Sequence, residues 1–260
     1  MLGKLIKYEF MATGRVFLPL FAALLIVSAI NRLFQNLNLE VPAVIGVILS
    51  VILIVGILVL TLILTLQRFQ KNLMSNEGYL MMTLPVRPDS LILSKLFVAS
   101  VWTAASTIIV TVSIMIMAMS GISISEILAQ IRLFFEQIAI PAPQVVVYAI
   151  ELIVLIVLSL FSGILLLYAC MALSMLVNKR RWLFTFGAYI VITTAMQTIL
   201  AVLVALGASF RIYDLLSINS MSDFGQIQIV ILLVLVAEAA MCVVFYYITR
   251  HMLKNRLNLQ

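Results

Sequence analysis

The chain predicts an all-α integral membrane protein with six transmembrane helices, and three observations predict it. Of its 260 residues, 65% are hydrophobic and only 10% charged, where soluble domains sit near half apolar and about a quarter charged. The apolar residues gather into six runs, each long enough to cross a hydrocarbon layer of about 30 Å. The basic residues gather on one side of those runs. Lys4, Lys7 and Arg15 precede the first; Arg68, Lys71, Arg87 and Lys95 lie between the second and third; Lys179, Arg180 and Arg181 between the fourth and fifth; Arg250, Lys254 and Arg256 after the sixth. The other side carries only Arg32, Arg132 and Arg211. The positive-inside rule therefore places both termini in the cytoplasm. The net charge of +6 records topology and contact with anionic lipid, and no nucleic-acid partner is expected. Residues 1–260 read as a single transmembrane domain.

In order along the chain, Leu2 to Thr13 place Leu2, Leu5, Ile6 and Phe10 on one helical face and Lys4 and Lys7 on the other. That suits a helix lying in the cytoplasmic interface, and Gly14 is expected to end it. Glu9 falls inside the apolar stripe, so it either turns toward solvent or meets protein. Span one is expected at 16–34, with Pro19 near its start, where few internal hydrogen bonds are lost. Its apolar run continues to Asn31-Arg32 without a cleavage site, so the N-terminus is expected to be retained. A short outer loop, Gln35 to Pro42, leads to span two at 43–66, about 36 Å of helix. There Gly46, Ser50, Thr61 and Thr65 suit close helix packing.

The stretch NEGYLMMTLPVRPDSLILSKL, from Asn76 to Leu96, is a compact amphipathic segment punctuated by proline. A short helix is expected over Glu77 to Thr83 and ends at Pro85. Pro88 then sets φ for a new first turn, and Asp89 suits its N-terminus.

These residues resemble the first cytoplasmic loop of the permease subunits of type-two ABC transporters from Gram-positive bacteria. Glu77, Gly78, Tyr79, Leu84 and Pro85, then Ser94, Lys95 and Leu96, match that loop as they stand. The opening KLIKYEFMATGRVFLPL and the closing YYITRHMLKNRLNLQ are also similar to the family. The resemblance implies that Glu77, Gly78, Tyr79, Leu80, Leu84 and Pro85 form a coupling helix docking into a separate phosphate-loop ATPase. It implies ATP and Mg on that partner, none in this chain, and a second permease chain completing a homodimer or heterodimer in the bacterial cytoplasmic membrane. It also implies that Glu9 and the helix carrying Lys4 and Lys7 meet the ATPase or the coupling loop.

Span three, at 97–119, carries Thr103, Thr107 and Thr111 at intervals of four, flanked by Ser106 and Ser113. The stripe is expected to face protein, as a packing seam or as the lining of a substrate path or dimer groove. Ser120 to Pro143 reads as an amphipathic outer helix ended by Pro141 and Pro143, or as an outer lid. Span four, at 152–176, begins after Glu151 at the outer interface and has Gly163 as a candidate bend. A tight turn, Asn178 to Trp182, leads to span five at 183–206, which holds Thr193, Thr194, Gln197 and Thr198. Residues 207–225 read as the last outer loop, carrying Arg211, Asp214 and Asp223; the family resemblance implies short re-entrant helices there as the alternative.

Span six, at 226–249, has Glu238 near its middle. An ionised carboxylate there costs about 2.5–3.5 kcal/mol, so Glu238 must be protonated, paired or facing water. One reading is a neutral carboxyl satisfied by Gln197 or Thr194; the other is a proton-coupled or substrate-cation role.

The chain lacks a G-x-x-x-x-G-K-[ST] phosphate loop, an H-E-x-x-H helix and a G-x-S-x-G elbow, so it is not expected to be an enzyme. Cys170 and Cys242 sit in apolar spans without metal-ligand spacing, and His251 reads as interfacial. The leading expectation is a permease subunit exporting an amphipathic peptide, lipid or drug on energy from the ATPase. The alternative is a membrane protein working without ATP, either an ion-coupled carrier centred on Glu238 or a sensory or resistance accessory subunit.

Overall fold

The structure is a computed structural model; it describes residues 2–71, 88–118, 125–126, 129–130, 132–133, 142–177, 180–209 and 223–256. Among the described residues, six helices are long and apolar enough to span a membrane, and no strand occurs. They are α1 (Leu2–Asn36), α2 (Glu40–Phe69), α3 (Pro88–Ala118), α4 (Ala142–Ser174), α5 (Arg181–Ser209) and α6 (Asp223–Arg256). An architecture of this kind suggests a multi-pass membrane protein.

The helix limits follow local chemistry. Asn38 adopts φ 56°, a left-handed geometry that asparagine tolerates better than most residues. The Asn38 amide donates to Gln35 at 3.1 Å and the Leu39 amide to Phe34 at 3.0 Å, a Schellman cap that ends α1. The expected outer loop from Gln35 to Pro42 is thereby reduced to a turn, with α2 already begun at Glu40. Pro42 falls in the first turn, where its missing N–H has no partner to lose. Pro88 and Asp89 open α3 as expected. After α4 the chain tightens, with Met175, Leu176 and Val177 each donating to the carbonyl three residues back, and Arg180, at φ 56°, turns it into α5.

One boundary differs from expectation. Gly14 does not end a separate interfacial helix; α1 runs unbroken through it for 35 residues, about 52 Å of helix. The reason lies in packing. Position 14 faces the indole of α3, where a Cβ would sit 3.4 Å from Trp102 Cζ2 in ordinary van der Waals contact, so this turn of α1 is packed and stays helical. Helix α4 likewise continues through Gly163.

The chain forms two compact units, residues 1–69 with 84–149 and residues 70–83 with 150–260. In the first, α1, α2 and α3 pack around Phe17, Phe21 and Leu24 of α1, Ile57 of α2, and Val98, Trp102 and Val110 of α3. In the second, the buried side chains include Tyr168, Ala169, Cys170 and Ala172 in the last turns of α4, with Phe245, Thr249 and Leu253 in α6. The expected coupling helix from Glu77 to Leu84, most of the outer segment 120–143 and most of the 207–225 loop lie outside the described residues.

Candidate functional site

The first unit holds a charge cluster built from three helices. Glu9 of α1 accepts from Arg68 Nη1, at the end of α2, at 2.7 Å and from Lys95 Nζ, in the second turn of α3, at 2.6 Å. The Lys95 side chain is 4% exposed and that of Glu9 13%, against 29% for Arg68. An ammonium withdrawn this far from water needs its counter-charge close by. Arg68 and Lys95 flank the segment between α2 and α3, so one carboxylate ties both ends of that segment to α1. Arg68 Nε is buried without a hydrogen-bond partner among the described residues.

An aromatic stack lies beside the cluster. Trp102 sits between Phe10 and Phe17, with ring centroids 4.8 Å away on each and near-parallel planes. The spacing is that of offset stacking, and Gly14 faces the same indole. Phe10, Gly14, Phe17 and Phe21 thus give α1 one face shaped to a single indole.

Helix α3 meets its neighbours through serines. Thr103, Thr107 and Thr111 each return a hydrogen bond to the carbonyl four residues back in their own helix, and Thr107 and Thr111 are exposed. The adjoining face carries the contacts between helices. Ser106 pairs with Thr61 of α2 at 2.9 Å, and Ser113 pairs with Ser28 of α1. The expected threonine stripe is therefore displaced by one face, because Trp102 and Val110 share the serines' side of the helix and pull that side into the core.

In the second unit, α4 and α6 share a polar seam. Gln228 Nε2 donates to Glu151 Oε1 at one level, and Ser162 Oγ lies 2.7 Å from Glu238 Oε2 about three turns further on. The pairs 151 with 228 and 162 with 238 advance together, so the two helices run parallel there. Cys242 Sγ approaches the Leu158 carbonyl at 3.6 Å. The hydrogen-bond partner of Glu238 is thus Ser162 of α4 and not the expected Gln197 or Thr194. Gln197 is exposed, and its neighbours Thr193 and Thr198 bond back to their own helix.

Lys7 is exposed near the start of α1, and the side chain of Lys4 lies outside the described residues, as do Glu77, Gly78, Tyr79, Leu80, Leu84 and Pro85. Both cysteines are free thiols, and among the described residues no group of three His, Cys, Asp or Glu could hold a metal ion.

Sequence reasoning missed the Glu9–Lys95 pair. The signal was present, since each is a single charge of opposite sign in an apolar helical stretch. No family model, curated protein or solved structure matches this chain.

Proposed function

We propose that this chain is the membrane permease subunit of an ATP-driven ABC transporter, energised by a separate phosphate-loop ATPase that docks on the segment Glu77 to Leu84. The reading rests first on the loop residues quoted above. The observation that carries it further is Glu9, which pairs with Arg68 in the last turn of α2, before that segment, and with Lys95 in the second turn of α3, after it. A displacement of either flanking helix end would thus reach α1 directly through the Glu9 ion pairs.

The cargo classes that suit this reading are an amphipathic peptide, a lipid or a drug, moved outward between two permease chains, with both termini in the cytoplasm of a bacterial cell. Tyr79→Ala combined with Leu80→Ala tests the docking. Membrane insertion and yield are expected to stay at the wild-type level while ATPase recovery in the purified complex drops at least tenfold. Unchanged recovery contradicts the assignment. The alternative, a carrier working on Glu238 without ATP, draws on the Ser162–Glu238 contact and predicts transport that survives loss of the ATPase and collapses with the proton gradient.

A further inference from the structure

Asn31 stands about a turn and a half from the end of α1 and is fully buried. Its amide has two hydrogens to give and an oxygen to receive with, yet Nδ2 and Oδ1 are both shut off from solvent without a hydrogen-bond partner among the described residues. Helix α2 holds the side chain in that place. A Cβ on Gly46 would lie 2.5 Å from Oδ1, 2.8 Å from Cγ and 3.1 Å from Cβ of Asn31, so the α2 backbone rests directly on the amide. The serines one turn deeper on these helices are fully buried too, but each has partners. Ser28 pairs with Ser113 of α3 and reaches the Leu24 carbonyl at 2.8 Å, and Ser50 donates to the Gly46 carbonyl at 2.8 Å. Asn31 is thus the one member of this group left unpaired. A buried amide without a partner costs free energy that the same amide in water does not, so Asn31 favours any arrangement in which water reaches it. The nearest route is short. The turn joining α1 to α2 is exposed and carries Asn36, Asn38 and Glu40.

We propose that the hairpin end of α1 and α2 is a gate, in which the two helices part between Asn31 and Gly46 and water enters as far as Ser28 to hydrogen-bond the Asn31 amide. The structure holds the closed arrangement. Gly46 lets α2 shut tightly on the side chain, and the unpaired amide keeps the open arrangement close in free energy, where an apolar side chain of the same size would lock the seam. Deeper in the unit the Ser106–Thr61 contact, at 2.9 Å, stays made in both. The gate is independent of the transporter reading and requires no ATPase.

Thiol labelling tests it on the full chain in lipid nanodiscs, where both faces meet the solvent. Ser28→Cys and Ser106→Cys each place a thiol at a position that is buried in the closed arrangement. A charged maleimide that does not enter lipid is the probe, and peptide mass spectrometry separates its adducts from any on Cys170 and Cys242. With Asn31 in place, the thiol at position 28 is expected to react clearly faster than the one at 106. Asn31→Leu removes the unpaired amide and is expected to slow labelling at position 28 roughly fivefold or more, the factor represented by one unpaired buried polar group, to leave position 106 unchanged, and to raise the unfolding midpoint. A merely structural asparagine predicts the reverse, faster labelling and a lower midpoint. Three results would overturn the proposal: equal rates at 28 and 106 with Asn31 in place, an unchanged or faster rate at 28 in Asn31→Leu, or a lowered midpoint in that variant. The first comparison stands whether or not Asn31→Leu folds.

Discussion

Glu9 joins residues that stand 59 and 86 positions away in the chain, and its removal has a calculable consequence. In Glu9→Gln the Lys95 ammonium keeps its 4% exposure and loses its counter-charge, a change that typically costs about 3–5 kcal/mol. The expected result is a clearly lowered thermal midpoint in mild detergent. Adding Lys95→Met to that variant removes the stranded buried charge and is expected to restore most of the loss, since the cost of breaking a buried pair lies mainly in the charge left uncompensated. A midpoint unchanged in Glu9→Gln would mean that the cluster contributes nothing. Part of this site was legible beforehand. A carboxylate inside an apolar stripe already pointed to a protein contact, whereas Arg68 and Lys95 read as topology signals because charge counting carries no information on distance. Glu238 behaved similarly: its need for a partner followed from its depth, and the identity of that partner depended on how α4 and α6 pair, which hydropathy does not encode.

At the scale of the helix, close approach is set by a few small residues and buried polar groups. A Cβ at Gly46 would lie 2.5 Å from Asn31 Oδ1, and Asn31 is fully buried with neither amide atom hydrogen-bonded among the described residues. Gly46→Ala must therefore displace the buried Asn31 side chain or separate α2 from α1, at a cost of about 1–3 kcal/mol, read as a lower unfolding midpoint. Gly56→Ala, with open space at its Cβ, is the control and is expected to be neutral or slightly stabilising, as alanine is the better helix former. Equal effects at both positions would contradict the packing argument. The existence and order of the helices were legible from apolar runs, and Pro88-Asp89 marked the start of α3. Faces were harder to read. A threonine stripe and a serine stripe look alike on a helical projection; the aromatic at position 102 decided which one turned inward. Gly14 was misleading for a related reason, because glycine often ends a helix by its backbone freedom, whereas the packing of this turn against Trp102 of α3 is not visible in the sequence.

The six helices together leave much of their apolar surface uncovered. The most apolar stretch of α5 buries none of its residues and that of α6 only 6%, far more exposure than a water-soluble monomer sustains. Lipid, or protein embedded in lipid, is the environment that such surfaces require. In the transporter account the first unit carries the fastening at Glu9, and the second carries the α4–α6 seam. The account also fixes an orientation: protease added to inside-out vesicles should remove a C-terminal tag, and protease added to intact cells should not. Its central claim is the ATPase partner, and the most direct measurement is purification of the C-terminally tagged chain from native membranes in mild detergent, with its stoichiometric partners identified by mass spectrometry. The account predicts a phosphate-loop ATPase at about one copy per permease chain, as subunits that work through one coupling segment each require. Recovery of the chain without any ATPase, even after cross-linking, would contradict it.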